Sequence, residues 1–241
     1  MVLMQLAVYL KAFSQQAATI LWYLSLAGYL LLFLWFTWHY ILKNLTMKQF
    51  YPAYFLIYGG IALVSVTAPQ FNANSIGRII FWVAFLSFLG ALTGVLYRYS
   101  RPEPIPQPFQ PFFCLFTAAP NLILAAYLAA FSDKPLEIVL AAQIIVQLCY
   151  FIVLTQLPRL LRIPFYPSYA AFSFPFVITA YTLLQSLSYL EQTGISYPTI
   201  LTCLVIAESM LAVLLVLYVT ICYTSFIIDR CFRCQHAKQK S

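Results

Sequence analysis

The stretch Tyr166–Leu183, YPSYAAFSFPFVITAYTL, sets a proline, Pro175, in the middle of an apolar run long enough to cross a bilayer. A proline there has no N–H for the carbonyl four residues back, here that of Ala171, and hydrocarbon offers that carbonyl no partner. The reading that follows is a broken helix whose open turn faces protein or a water-filled path.

The rest of the chain supports a membrane setting. Of 241 residues 63% are hydrophobic, 18% aromatic and only 8% charged, more apolar surface than a soluble domain can hide. Seven complete apolar runs, most of them about 20 residues or longer, match the length a helix needs to cross the hydrocarbon. They are spans A to G: 17–42, 52–69, 76–99, 111–131, 135–157, 167–190 and 198–229. Residues 1–13 read as part of a further helix, and 230–241 as a basic tail. Lys11 is the only charge in the first 42 residues and follows the first apolar stretch, so no signal peptide is expected. A net charge of +7 in a soluble protein would suggest nucleic acid, but here it sorts by side. Lys43, Lys48, Arg98, Arg101, Arg159, Arg162, Arg230, Arg233, Lys238 and Lys240 fall on one side, and Lys11, Arg78 and Lys134 on the other. That asymmetry predicts a cytoplasmic C-terminus and makes the bilayer, not nucleic acid, the partner.

A repeat organises the spans. B opens YPAYFLIYGG at Tyr51, D opens QPFFCLFTAAP at Gln110, and F opens YPSYAAFSFPF at Tyr166. Their first prolines, Pro52, Pro111 and Pro167, are 59 and 56 residues apart, and each is followed at seven to nine residues by a helix breaker: Gly59 with Gly60, Pro120, and Pro175. Spans A, C, E and G have no proline in their apolar centres. The unit is a hairpin of one broken and one continuous helix. The fold class expected is therefore all-α integral membrane, with broken inner helices around a central pore and continuous helices outside. The same spacing predicts a partner for span A starting near position −7, so Met1–Phe13 reads as the end of a helix whose first half is missing.

Seven residues after the first proline, the broken spans carry Gly59, Ala118 and Phe174, two small residues and one ring. Phe174, or alternatively Phe172, is placed to occlude a path lined by Gly59, Gly60, Ala118, Pro120, Asn121, Ser173 and Pro175; either ring packing between helices is the plainer alternative. Thr117, Ser65, Thr67 and Thr179 add weak polar lining, and no Lys or Arg lies deep in a span. Glu208, about ten residues into span G and so ~15 Å deep, reads either as a proton-coupling group or as a protonated acid bonded to a neighbouring helix. Cysteines 114, 149, 203 and 222 read as small apolar side chains, and Cys231-x-x-Cys234 with His236 as a juxtamembrane tail open to palmitoylation, not a metal site. The Asn44–Thr46 sequon falls on the cytoplasmic side and is expected to carry no glycan. Neither HExxH nor G-x-S-x-G occurs, so no enzyme activity, cofactor or metal is expected.

The segments PFYPSYAAFSFPFVI (Pro164–Ile178), FFCLFTAAPNLILAAYL (Phe112–Leu128) and the opening VLMQLAVYL resemble the tellurite-resistance/dicarboxylate transporter family, which includes bacterial tellurite-resistance proteins, yeast malate and sulfite transporters and plant slow anion channels. The resemblance implies ten helices in five hairpins, a pore for small inorganic or organic anions lined by the kinked inner helices, a phenylalanine gate at the position of Phe174, and a homotrimer. By that measure spans A to G are helices four to ten, and a bacterial inner membrane is the expected location. A non-transporting membrane protein acting only through partners is the rival expectation.

Overall fold

The computed structural model describes residues 1–43 and 50–239, the side chains of 231–239 excepted. The sequon, Lys48 and the side chains of Cys231, Cys234 and His236 lie outside that description. All regular structure among the described residues is helical. The helices are α1 (Val2–Leu10), α2 (Gln15–Phe36, continued by a wider turn over Thr37–Lys43), α3 (Tyr54–Tyr58), α4 (Ala62–Thr67), α5 (Asn74–Tyr99), α6 (Leu115–Ala130), α7 (Leu136–Leu160), α8 (Phe174–Gln192) and α9 (Thr199–Gln239). Among the described residues seven segments are long and apolar enough to cross a membrane: Gln15–Lys43, Tyr54–Phe71, Asn74–Tyr99, Gln107–Ala130, Leu136–Leu160, Pro167–Gln192 and Thr199–Arg230. They correspond one to one with spans A to G. The protein is an all-α integral membrane protein. Helix α9 runs past the end of span G without interruption to Gln239, so the basic tail begins as helix.

The irregular spans are the buried ones. In their most apolar windows B, D and F are 67%, 61% and 61% buried, against 28%, 39%, 22% and 22% for A, C, E and G. The outward faces of the continuous helices carry Leu24, Leu31, Ile79, Leu86, Ile144 and Ile221, all exposed, as a lipid-facing surface requires.

The irregularities lie partly elsewhere than the prolines suggest. Span B is interrupted at Gly59–Gly60, between α3 and α4, as the glycine pair predicts. Span D, by contrast, holds Pro120 inside the unbroken helix α6, and its irregular part is the 3-10 segment Gln107–Cys114 upstream. In span F the 3-10 turns of Pro167–Phe172 precede α8, and Pro175 sits in the first turn of that helix. The expectation of a mid-helix break at Pro175 is corrected accordingly: a first-turn residue has no intrahelical acceptor for its N–H, so proline is tolerated there.

The break in span B is closed by its neighbours. The N–H of Gly60 turns back to Phe55 O (3.1 Å) and that of Ala62 bonds Gly59 O (3.0 Å), which takes the carbonyls of Leu56, Ile57 and Tyr58 out of the regular ladder. The Tyr29 hydroxyl of α2 approaches Leu56 O (2.7 Å) and Ile57 O (3.1 Å), and Ser87 Oγ of α5, 2.7 Å from its own Val83 O, lies 3.2 Å from Tyr58 O. Further along, buried Trp22 donates Nε1–H to Thr67 Oγ1 (2.8 Å), and Ser65 donates to Gly77 O (2.8 Å), tying α4 to α2 and α5. At the membrane face carrying Lys11 and Lys134, both ammonium groups cap helix ends: Lys11 bonds Gln70 O, and Lys134 bonds Leu128 O (3.0 Å) and Phe131 O (2.8 Å) at the end of α6. Partial burial pushes the Lys134 ammonium pKa down.

Gly60 is the tightest point of this junction. A Cβ there would lie 2.2 Å from Leu56 O and 2.7 Å from the Tyr29 hydroxyl, whereas one on Gly90 would meet nothing within 4 Å. Gly60→Ala is therefore expected to cost about 1–3 kcal/mol in reversible unfolding in mixed micelles, an overpacking penalty, and Gly90→Ala to be neutral or stabilising. Equal stabilities of the two variants would show that the junction relaxes freely.

Candidate functional site

Spans B, D and F meet where their small residues allow it. A Cβ on Gly59 would lie 3.0 Å from Ala119 Cβ, so this backbone lies directly against α6. Beside that contact is a gap of about 10 Å³ whose lining includes Met1, Phe55, Gly60, Ala118, Ala119 and Phe174. A space of that size is at the lower limit for one water molecule. The ring of Phe174, half-buried, packs against the main buried cluster and lines this gap together with Met1, whose Cε lies 1.6 Å from where a Cβ on Gly60 would stand.

Phe172 lies elsewhere. It is fully buried in a second cluster, with Tyr169, Phe176 and Leu215, and its ring meets that of Tyr169 edge-on at 4.9 Å. The sequence left Phe172 and Phe174 as alternatives; the backbone between Ala170 and Pro175 sends them to different clusters. Of the remaining predicted lining residues, Ala118 and Gly60 border the gap and Gly59 packs behind it. Pro175 is buried in the first turn of α8, Pro120 lies within α6, and Ser173 Oγ donates to Ala170 O (2.8 Å).

Asn121 anchors a buried polar knot. Its Nδ2 lies 2.8 Å from Thr117 O and 3.1 Å from both Thr117 Oγ1 and Thr179 Oγ1, and Thr182 Oγ1, 2.7 Å from Ile178 O, lies 3.2 Å from Asn121 O. These contacts join α6 to α8. The Asn121 Oδ1 atom is buried without a hydrogen-bond partner. Thr117, Thr179, Ser65 and Thr67, read from sequence as path lining, thus all spend their hydroxyls on hydrogen bonds within the protein.

A second polar chain crosses from α8 to α9. Ser186 Oγ donates to Gln143 Oε1 (2.8 Å), Gln143 Nε2 to Gln147 Oε1 (3.2 Å), and Gln147 Nε2 to Glu208 Oε1. Glu208 is only 2% exposed, and its Oε2 has no partner. Sequence reasoning singled out Glu208 but missed Gln143 and Gln147. The available signal was two amides one turn apart in an otherwise apolar span, a spacing that puts both on one helix face.

With this geometry in place, comparison with family models, curated proteins and solved structures finds no match to this chain.

Glu208→Leu would strand the Gln147 amide, whereas Glu208→Gln keeps an acceptor oxygen in place. The leucine variant is expected to lose about 1–3 kcal/mol of stability, the cost of an unsatisfied buried donor, and the glutamine variant much less. Unfolding of both in mixed micelles checks this; equal losses would mean that the carboxyl itself, not its acceptor oxygen, holds α7 to α9.

Proposed function

We propose that this protein provides a transmembrane path for small anions along the buried faces of spans B, D and F, held closed by Phe174. The observation that carries the reading is the gap beside Gly60 and Ala118: three irregular, buried spans come together on small residues, and the ring of Phe174 lines what they leave, with Met1 against Gly60. A hydrophobic plug of this kind blocks by excluding water, and it needs no charged group. The absence of Lys and Arg from the span centres suits a weakly held, mobile anion better than a tightly bound one. The resemblance of Pro164–Ile178 to the tellurite-resistance/dicarboxylate transporters points the same way and supplies the proposed homotrimer and bacterial inner membrane, while the sorting of Lys and Arg by side supports a cytoplasmic C-terminus.

A proton-coupled version of this reading rests on Glu208. The carboxyl is buried in the protein interior, accepts from Gln147 and has one oxygen uncommitted, the setting in which a protonatable group inside a membrane is retained for use.

Phe174→Ala is expected to raise chloride and nitrate flux through proteoliposomes severalfold, since removing the ring opens and hydrates the gap. Flux unchanged from wild type, with the variant folded and inserted, would remove Phe174 from the path; no flux from either protein would favour a membrane protein acting only through partners. Phe172→Ala, changing the other cluster, should lower stability without raising flux. If Glu208 carries protons, Glu208→Gln should flatten the pH dependence of transport, and a wild-type profile would assign the carboxyl a structural role alone.

A further inference from the structure

A polar cleft lies at the opposite membrane face from Lys11 and Lys134. It has a volume of about 440 Å³ between the C-terminal ends of α5 and α7. Three arginines line it, Arg98, Arg101 and Arg159, together with Gln110 and Gln156 and one acid, Glu103; its apolar wall is Ile105, Phe113, Ile152 and Leu160.

Two of the arginines are fixed in place. Arg98 is 4% exposed, donates from Nη1 to Glu103 O (3.1 Å) and lies over the Tyr51 ring at 5.8 Å. Arg101 stacks over the Tyr97 ring at 4.7 Å and bonds its hydroxyl. Such cations present their charge without first losing side-chain freedom.

Basic residues at helix C-termini also offset the helix dipole, so their presence alone names no ligand. The α7 wall does. Ile152, Gln156 and Arg159 stand at i, i+4 and i+7 and form one exposed stripe, which runs from hydrocarbon to amide to guanidinium over roughly 10 Å of helix rise. That order matches a phospholipid read upward from its acyl chain through the glycerol esters to the phosphate. The exposed Ile152 leaves the stripe open sideways to the bilayer. Basic pockets between transmembrane helices at a membrane surface are suited to anionic headgroups.

We infer that the cleft between α5 and α7 binds the phosphate of an anionic phospholipid headgroup, with Arg101 and Arg159 as its cationic contacts and Arg98 as the fixed charge at its base. The acyl chain lies along Ile152. Glu103 offsets part of the attraction and leaves the three-to-one balance of charges favourable. The site is separate from the gap at Phe174 and does not depend on what crosses the membrane.

The test titrates the purified protein in neutral detergent with phosphatidylglycerol, phosphatidylcholine or free glycerol phosphate, reading thermal unfolding and, by native mass spectrometry, retained lipid. Phosphatidylglycerol should raise the unfolding temperature and stay bound; phosphatidylcholine and glycerol phosphate at equal concentration should do neither. The pair Arg101→Gln with Arg159→Gln should weaken phosphatidylglycerol binding about 30-fold, roughly fivefold for each cation facing an anionic surface, with the phosphatidylcholine melt unchanged. Should the double variant fold poorly, the exposed Arg159→Gln alone carries the comparison. Equal stabilisation by both lipids, or undiminished phosphatidylglycerol binding by the variants, overturns the site. A full shift from glycerol phosphate alone overturns the lipid as its source and assigns the cleft to soluble anions.

Discussion

Inside hydrocarbon a backbone carbonyl has no water to turn to, and this bundle is arranged around that fact. Span B gives up its regular ladder at Gly59–Gly60, and the carbonyls of Leu56, Ile57 and Tyr58 are met by Tyr29 and Ser87, side chains from the spans before and after it. A broken helix is thus buried because only packed neighbours can bring hydroxyl groups to it. Continuous helices need no such help, and they form the lipid-facing surface with Leu24, Ile79, Ile144 and Ile221.

The same demand explains why the interior is closed. Hydroxyl and amide groups that might have lined a wet channel are instead tied up: Thr67 to Trp22, Ser65 to Gly77, Thr117 and Thr179 to Asn121, and Ser186 through two glutamines to Glu208. What remains at the meeting point of the three buried spans is apolar and small. The side chains of Phe174 and Met1 border it. The polar chain from Ser186 to Glu208 lies apart from it, held from α7.

Charge is divided between the two faces by use as well as by number. Lys11 and Lys134 are spent on carbonyls at helix ends, whereas the opposite face gathers Arg98, Arg101 and Arg159 around an open cleft. A count of cations by side treats these groups alike; their surroundings separate the structural caps and the buried, hydrogen-bonded Arg98 from the exposed Arg101 and Arg159.

The sequence alone determined the membrane class, the seven spans and the distinction between irregular and continuous helices, because length, hydropathy and proline or glycine placement act locally. It also marked Gly59–Gly60 as a break, since two adjacent residues without side chains weaken a helix wherever it packs. Only the tertiary structure decided where the other irregularities fall. Pro120 stays within α6 and Pro175 begins α8, because a proline is tolerated or disruptive according to which carbonyls lie around it. It also separated Phe172 from Phe174. Two rings two residues apart look interchangeable in a string of letters, and the 3-10 turn before α8 rotates them into different cores. Gln143 and Gln147 acquire meaning only when α7 turns that face toward Ser186 and Glu208, since a hydrogen bond between spans depends on rotation about each helix axis, which no single span encodes.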